Sequence, residues 1–138
     1  MTTEEKINKV FVYGTLKEGR PLDRRGIANL RCDVADATIE GSIFNFKHAG
    51  YPTIKLDGEG LVIGEVHTFP EKHMAEVVQI MDAIEGYNKH DPKKGLYNRH
   101  KIKATLKNGD VVIAWAYEYN GTVDPELRIK EGVWEPGL

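Results

Sequence analysis

Asn108-Gly109 lies between two runs of strand-like sequence, Tyr97 to Leu106 and Val111 to Tyr119. Both residues tolerate the positive φ that a tight turn requires, so the dipeptide is a strong local signal for a β-hairpin. The second run places Val111, Ile113, Trp115, Tyr117 and Tyr119 on one face. Whatever the chain folds into must therefore accept a long antiparallel pair near its C-terminal end.

Other segments read as strands of different character. Val10 to Tyr13 is a short β-branched and aromatic run, the pattern of a strand buried on both faces, and Gly14 breaks it at once. In Ala37 to Phe46 the apolar parity switches around Gly41, which suggests a bulge or sharp bend. Leu61 to Phe69 is a third long strand, interrupted at Gly64. Tyr51-Pro52 looks like a turn entering a short strand.

One segment has helical period. Met74, Val77, Val78, Met81 and Ile84 recur at spacings of three and four, so a single stripe faces a core. Thr68 and Glu71 form a capping-box pattern ahead of it, with Pro70 in the first turn, and Gly86 is placed to end it. Strands on either side of one good helix predict an α+β fold, a small mixed, barrel-like sheet with the main helix packed against it. The 138 residues fit one domain, 1–138, with a core over about 8–120 and an irregular C-terminal tail. Lys89 to Gly95 reads as a polar loop.

Nineteen basic and twenty-one acidic residues give a formal net charge of −2, which argues against nucleic acid or an anionic membrane as the main partner. Cys32 is the single cysteine and implies neither a disulfide framework nor a zinc site. The N-terminal MTTEEKINK has no apolar segment of the secretory type, and the apolar runs are too short to span a bilayer as a helix. A cytoplasmic enzyme or binding protein is the expectation.

Two features could carry chemistry. Glu85 lies four residues after Met81 and seven after Val78, so it falls on or beside the apolar stripe. A carboxyl carried to a core edge should have a raised pKa, as proton transfer in both directions requires. The alternative is a carboxylate at a fraying helix end that turns into solvent. Tyr13-Gly14-Thr15-Leu16 is a strand that stops in a tight turn, where successive N–H groups could cradle an oxyanion. It matches neither phosphate-binding glycine motif, and an ordinary turn is its alternative. Glu76 and Asp82 lie away from the stripe's centre, and Glu71 serves the cap. The five histidines lack metal-ligand spacing, and His67 and His73 read as surface or capping positions. Ser42, the single serine, falls within a strand pattern rather than a nucleophile elbow.

These segments resemble, in order, the γ-glutamylcyclotransferase-like family. Val10 to Gly19 (VFVYGTLKEG) is similar to the opening family signature of a strand followed by Tyr-Gly-Ser/Thr-Leu. Gly41 with Ile43-Phe44, Tyr51-Pro52 and Gly64-Glu65-Val66 follow. Next come Met81 to Gly86, similar to Leu-Asp-x-x-Glu-Gly, then Tyr97-Asn98-Arg99, and the late strand ending Ala116-Tyr117. The resemblance implies intramolecular cleavage of a γ-glutamyl amide to 5-oxoproline and a free amine or amino acid. It implies that Glu85 is the general acid/base and that Tyr13, Gly14, Thr15 and Leu16 hold the substrate, with Tyr97 and Tyr117 nearby. It implies no metal and no organic cofactor, and a small γ-glutamyl compound as partner. A γ-glutamyl amide hydrolase and a non-catalytic ligand-binding protein of the same fold are the competing readings. The oligomeric state and the identity of the γ-glutamyl compound stay open, and the basic stretch at Lys93-Lys94 leaves the leaving-group side unassigned.

Overall fold

The computed structural model describes residues 7–13, 33–46, 51–56, 60–88 and 90–129. Gly14, Thr15, Leu16 and Cys32 lie outside them, as does the tail from 130 onward. Seven strands and one α-helix are present among the described residues. They are β1 (Lys9–Val12), β2 (Asp33–Glu40), β3 (Ser42–Phe46), β4 (Tyr51–Lys55), β5 (Leu61–Thr68), α1 (Met74–Glu85), β6 (Tyr97–Leu106) and β7 (Val111–Tyr119).

Five strands close into a barrel in the order β1-β5-β2-β6-β7, and β3 and β4 form a separate two-stranded sheet. β5 is antiparallel to both neighbours, with Thr68 opposite Lys9 of β1 and Asp33 of β2. β6 and β7 run antiparallel from Tyr97↔Tyr119 to Thr105↔Val111, so the hairpin expected around Asn108-Gly109 forms. Its turn has Gly109 at φ 96°, and Asn108 Oδ1 accepts from the Asp110 N–H at 2.9 Å. The barrel closes through one parallel pair, Val10↔Trp115, between β1 and β7.

Burial follows the strand alternation. Phe11 and Tyr13 point into the barrel with Ala37, Ile39, Val62, Val66, Ala104, Ala114 and Ala116. Small alanines there leave room for the two rings. Val10 and Val12, on the opposite face of β1, join Met74, Val77 and Met81 of α1, with Tyr97 and Tyr117. β1 is thus buried on both faces, as its unbroken apolar run predicts, because the barrel interior lies on one side and the helix on the other.

Gly41 does more than bend one strand. It stands at φ 154° and separates β2 of the barrel from β3 of the smaller sheet. A Cβ at Gly41 would lie 2.8 Å from the Lys55 carbonyl oxygen. The chain changes sheets where only glycine fits.

Two expectations fail locally. Thr68 does not cap the helix; it remains in β5, paired on both sides, and a 3-10 turn at Glu71–His73 leads into α1 with no side-chain cap hydrogen bond. Ladder hydrogen bonds on both edges outweigh the single bond a cap would offer. His67 is not a surface or helix-capping residue either. It is buried on β5, its Nε2 2.9 Å from Glu65 Oε1. The helix does end at Gly86, which adopts φ 67° and donates to the Asp82 carbonyl, as a left-handed C-cap should.

Candidate functional site

The C-terminal turn of α1 lies against the tyrosine-rich face of β6 and β7. Met81 anchors this turn in the core, and Glu85 follows one turn later. Its side chain is partly buried rather than fully enclosed. Burial alone pushes the Glu85 carboxyl up from 4.5 to about 7. That range allows a carboxyl to take and return a proton at neutral pH. The reading of Glu85 as a freely solvated helix end does not hold.

Tyr13 and Tyr117 stand in the field of the same carboxylate. The Tyr13 hydroxyl donates to the Tyr117 carbonyl oxygen at 3.0 Å. Its pKa is raised by burial first, then by the charges of Glu85, Tyr97 and Glu118, with a backbone hydrogen bond from Ile54 opposing. Tyr117 is likewise pushed up, by burial first, then by its hydrogen bond to Asp82 and that carboxylate's charge, and to a lesser degree by Glu85. Both phenols therefore stay neutral and act as hydrogen-bond donors. Tyr97 is buried beside them, its ring edge-on to Tyr119 with centroids 5.6 Å apart.

The structure thus brings Glu85, Tyr13, Tyr97 and Tyr117 into one neighbourhood. Gly14, Thr15 and Leu16 lie outside the described residues.

Two contributors, Asp82 and Arg99, are not among the site residues the sequence predicts. Asp82, assigned by helical period to the helix's unremarkable flank, is partly buried and accepts from the Tyr117 hydroxyl at 2.5 Å. Arg99 Nε stands 3.1 Å from the same carboxylate oxygen. The N–H is not aligned on that oxygen, so the contact is an ion pair rather than a hydrogen bond. The guanidinium lies 4.5 Å from the Trp115 ring centroid and 5.1 Å from that of Tyr87. Asp82 and Arg99 both stood inside motifs already singled out, Met81 to Gly86 and Tyr97-Asn98-Arg99. The signal was a carboxylate and a guanidinium on elements that each carry a site residue.

A second polar group occupies the end of β7. Glu118 Oε2 accepts from the Leu56 N–H at 2.7 Å, and its Oε1 lies 3.1 Å from His100 Nε2. Lys55 Nζ donates to the Tyr119 carbonyl at 2.8 Å. These contacts fasten the β3–β4 sheet to the barrel near Tyr13. Among the described residues no group of three or more His, Cys, Asp or Glu is arranged to hold a metal ion. No helix among them is long and apolar enough to cross a membrane.

The fold and this cluster define a class: a small closed mixed barrel with one packed helix that presents a carboxyl to buried tyrosines. The chain belongs to the family described as gamma-glutamyl cyclotransferase, AIG2-like, whose profile matches residues 10–136. Among curated proteins nothing matches at a significant level. Solved structures share the fold. An AIG2-like protein of Mus musculus has 21% identity and a TM-score of 0.68 over 94% of this chain and 88% of its own. A protein of Arabidopsis thaliana has 22% identity and a TM-score of 0.64 over 91% of this chain and 76% of its own. A yeast gamma-glutamyl cyclotransferase specific to glutathione has 14% identity and a TM-score of 0.56, covering 80% of this chain and 68% of its own.

Proposed function

We propose that this protein cleaves a γ-glutamyl amide intramolecularly, releasing 5-oxoproline and a free amine or amino acid, with Glu85 as general acid/base. The observation that carries this reading is a partly buried carboxyl raised to about 7 beside neutral buried tyrosines, in a chain of the cyclotransferase family. A substrate α-ammonium cannot attack a carbonyl until it loses a proton. The Glu85 carboxylate takes that proton, and the freed amine attacks the γ-carbonyl carbon, closing a five-membered ring. The protonated Glu85 then donates to the departing nitrogen as the amide C–N bond breaks. Overall the α-nitrogen loses two protons and the leaving nitrogen gains two, so Glu85 is regenerated. The main chain of Gly14, Thr15 and Leu16 holds substrate oxygens, and Tyr13, Tyr97 and Tyr117 line the same pocket. The chemistry asks for one proton-transfer group and fixed hydrogen-bond donors, with no metal or cofactor assigned a role.

The test is product analysis with a panel of γ-glutamyl compounds, including glutathione, γ-glutamyl amino acids and γ-glutamyl-ε-lysine. Stoichiometric 5-oxoproline supports the reading. Glutamate in its place would identify a hydrolase, and binding without any product would identify a ligand-binding protein.

A further inference from the structure

Asp82 is tied to the end of its own helix and to two strands at once. Its main-chain carbonyl accepts from Gly86, and from Tyr87 at 2.9 Å, so it terminates α1. Its side chain accepts from the Tyr117 hydroxyl on β7 and pairs with Arg99 on β6. Arg99 and Tyr117 are direct cross-strand partners, so both arrive at Asp82 from one rung of the barrel. The flat guanidinium spans Trp115 of β7 and Tyr87, which follows the helix cap. From Tyr117 the chain of contacts continues through its carbonyl to the hydroxyl of Tyr13, one residue past β1.

We propose that Asp82 is a positioning residue: with Arg99 and Tyr117 it locks the last turn of α1 onto the barrel and so sets where Glu85 stands relative to Tyr13. This rests on the cyclotransferase reading for the role of Glu85, but the lock itself is a geometric claim. Glu85 lies three residues after Asp82, on a helix end that would otherwise fray. The Tyr117 bond and the Arg99 ion pair are charge-assisted contacts to one carboxylate, and Arg stacked on rings is more rigidly placed than a lysine would be. Misplacing a catalytic group by about 1 Å can cost on the order of 100-fold in rate. A lock on this turn therefore bears directly on turnover.

The charged and titratable groups around the cluster are Asp82 on α1, Tyr13 by β1, Tyr97 and Arg99 on β6, and Tyr117 and Glu118 on β7. Tyr117→Phe and Arg99→Lys change none of their formal charges. Any movement of the Glu85 titration in these variants therefore reports its placement and solvation, not a lost charge.

The experiment follows the Glu85 side-chain carboxyl by carbon NMR in the intact protein, together with kinetics and unfolding. In the wild type the midpoint should lie at about 7. With the lock broken, the turn loosens, water reaches the carboxyl, and the midpoint should fall below about 6 in each variant. With a substrate that the wild type turns over, kcat should fall about 10- to 100-fold while KM changes less than about three-fold. If Tyr117→Phe does not fold, Arg99→Lys decides. A folded variant of either kind that keeps the wild-type midpoint overturns the lock. If the wild type turns over no γ-glutamyl compound, the titration still decides the lock, and it is the functional reading that fails.

Discussion

The Tyr13 hydroxyl donates to the carbonyl of Tyr117 at 3.0 Å, joining the first and last strands of the barrel from inside. Only Val10↔Trp115 pairs β1 with β7 along the main chain, so this side-chain bond extends a short seam. It also fixes one phenol within the field of Glu85.

Tyr13→Phe removes that donor and leaves a buried carbonyl without it. The expected loss is about 1–2 kcal/mol, read as a lower urea midpoint with an unchanged slope. Turnover should fall as well, because the hydroxyl at the site is gone. A variant with wild-type stability would mean that the seam does not depend on this bond.

The raised carboxyl sets the pH behaviour. Glu85 must be ionised to accept a proton, so kcat/KM should fall as pH drops through about 7. The stability effect has the opposite sense. A carboxyl raised on folding imposes no penalty below its unfolded pKa; the penalty grows as pH rises from 4.5 to about 7 and is complete above that. Glu85→Gln should therefore be more stable than the wild type at pH 8, and the difference should vanish below pH ~4.5. With the side chain partly open to solvent, the gain should be on the order of 1–2 kcal/mol. Unfolding midpoints of the two proteins across pH 4 to 8, as a working range of about four units, check the sign.

Gly64 marks a close approach inside the barrel wall. A Cβ there would stand 2.3 Å from the Val12 carbonyl oxygen and 2.7 Å from the Phe11 ring. The ring could shift, but the backbone of the barrel seam cannot without moving β1. Gly64→Ala should cost at least about 2 kcal/mol, as overpacked cores do, and should lower the thermal midpoint by several degrees. Gly109→Ala makes a useful contrast. A Cβ there meets nothing within 4 Å, so only its φ of 96° is strained.

Much of this architecture was legible in local sequence because it depends on local rules. Asn108-Gly109 dictates a hairpin through backbone freedom, and the α1 stripe dictates a buried face through helical period. The doubly buried β1 follows from its unbroken apolar run. The failures share a different cause. Thr68 looked like a cap because capping is a pattern of four residues, whereas its place in β5 is decided by β1 and β2, both distant in sequence. Gly41 reads as a bend within one strand, since nothing in ten residues says that the two halves join different sheets. Helical period puts Asp82 on the flank of α1, because it ranks residues by distance from the apolar stripe. It is drawn in by Tyr117 and Arg99, which lie 35 and 17 positions further on in the numbering and meet it only once β6 and β7 have paired. Glu85 was the exception among the polar residues. Its anomaly lay within the helix itself, a carboxyl beside Met81 and Val78, and so it could be seen before the fold was known.

The central claim is that Glu85 moves the protons in γ-glutamyl amide cleavage, and one comparison tests it most directly. Wild type and Glu85→Gln are incubated with each γ-glutamyl compound of the panel, and 5-oxoproline is quantified alongside unfolding midpoints for both proteins. The amide is nearly isosteric with the carboxyl but cannot shuttle a proton. The account predicts 5-oxoproline from the wild type with at least one compound, and a folded variant whose kcat is lower by about 100- to 10,000-fold. A folded Glu85→Gln protein that retained more than about a tenth of wild-type turnover would contradict it, because the carboxyl would then not be the essential acid/base.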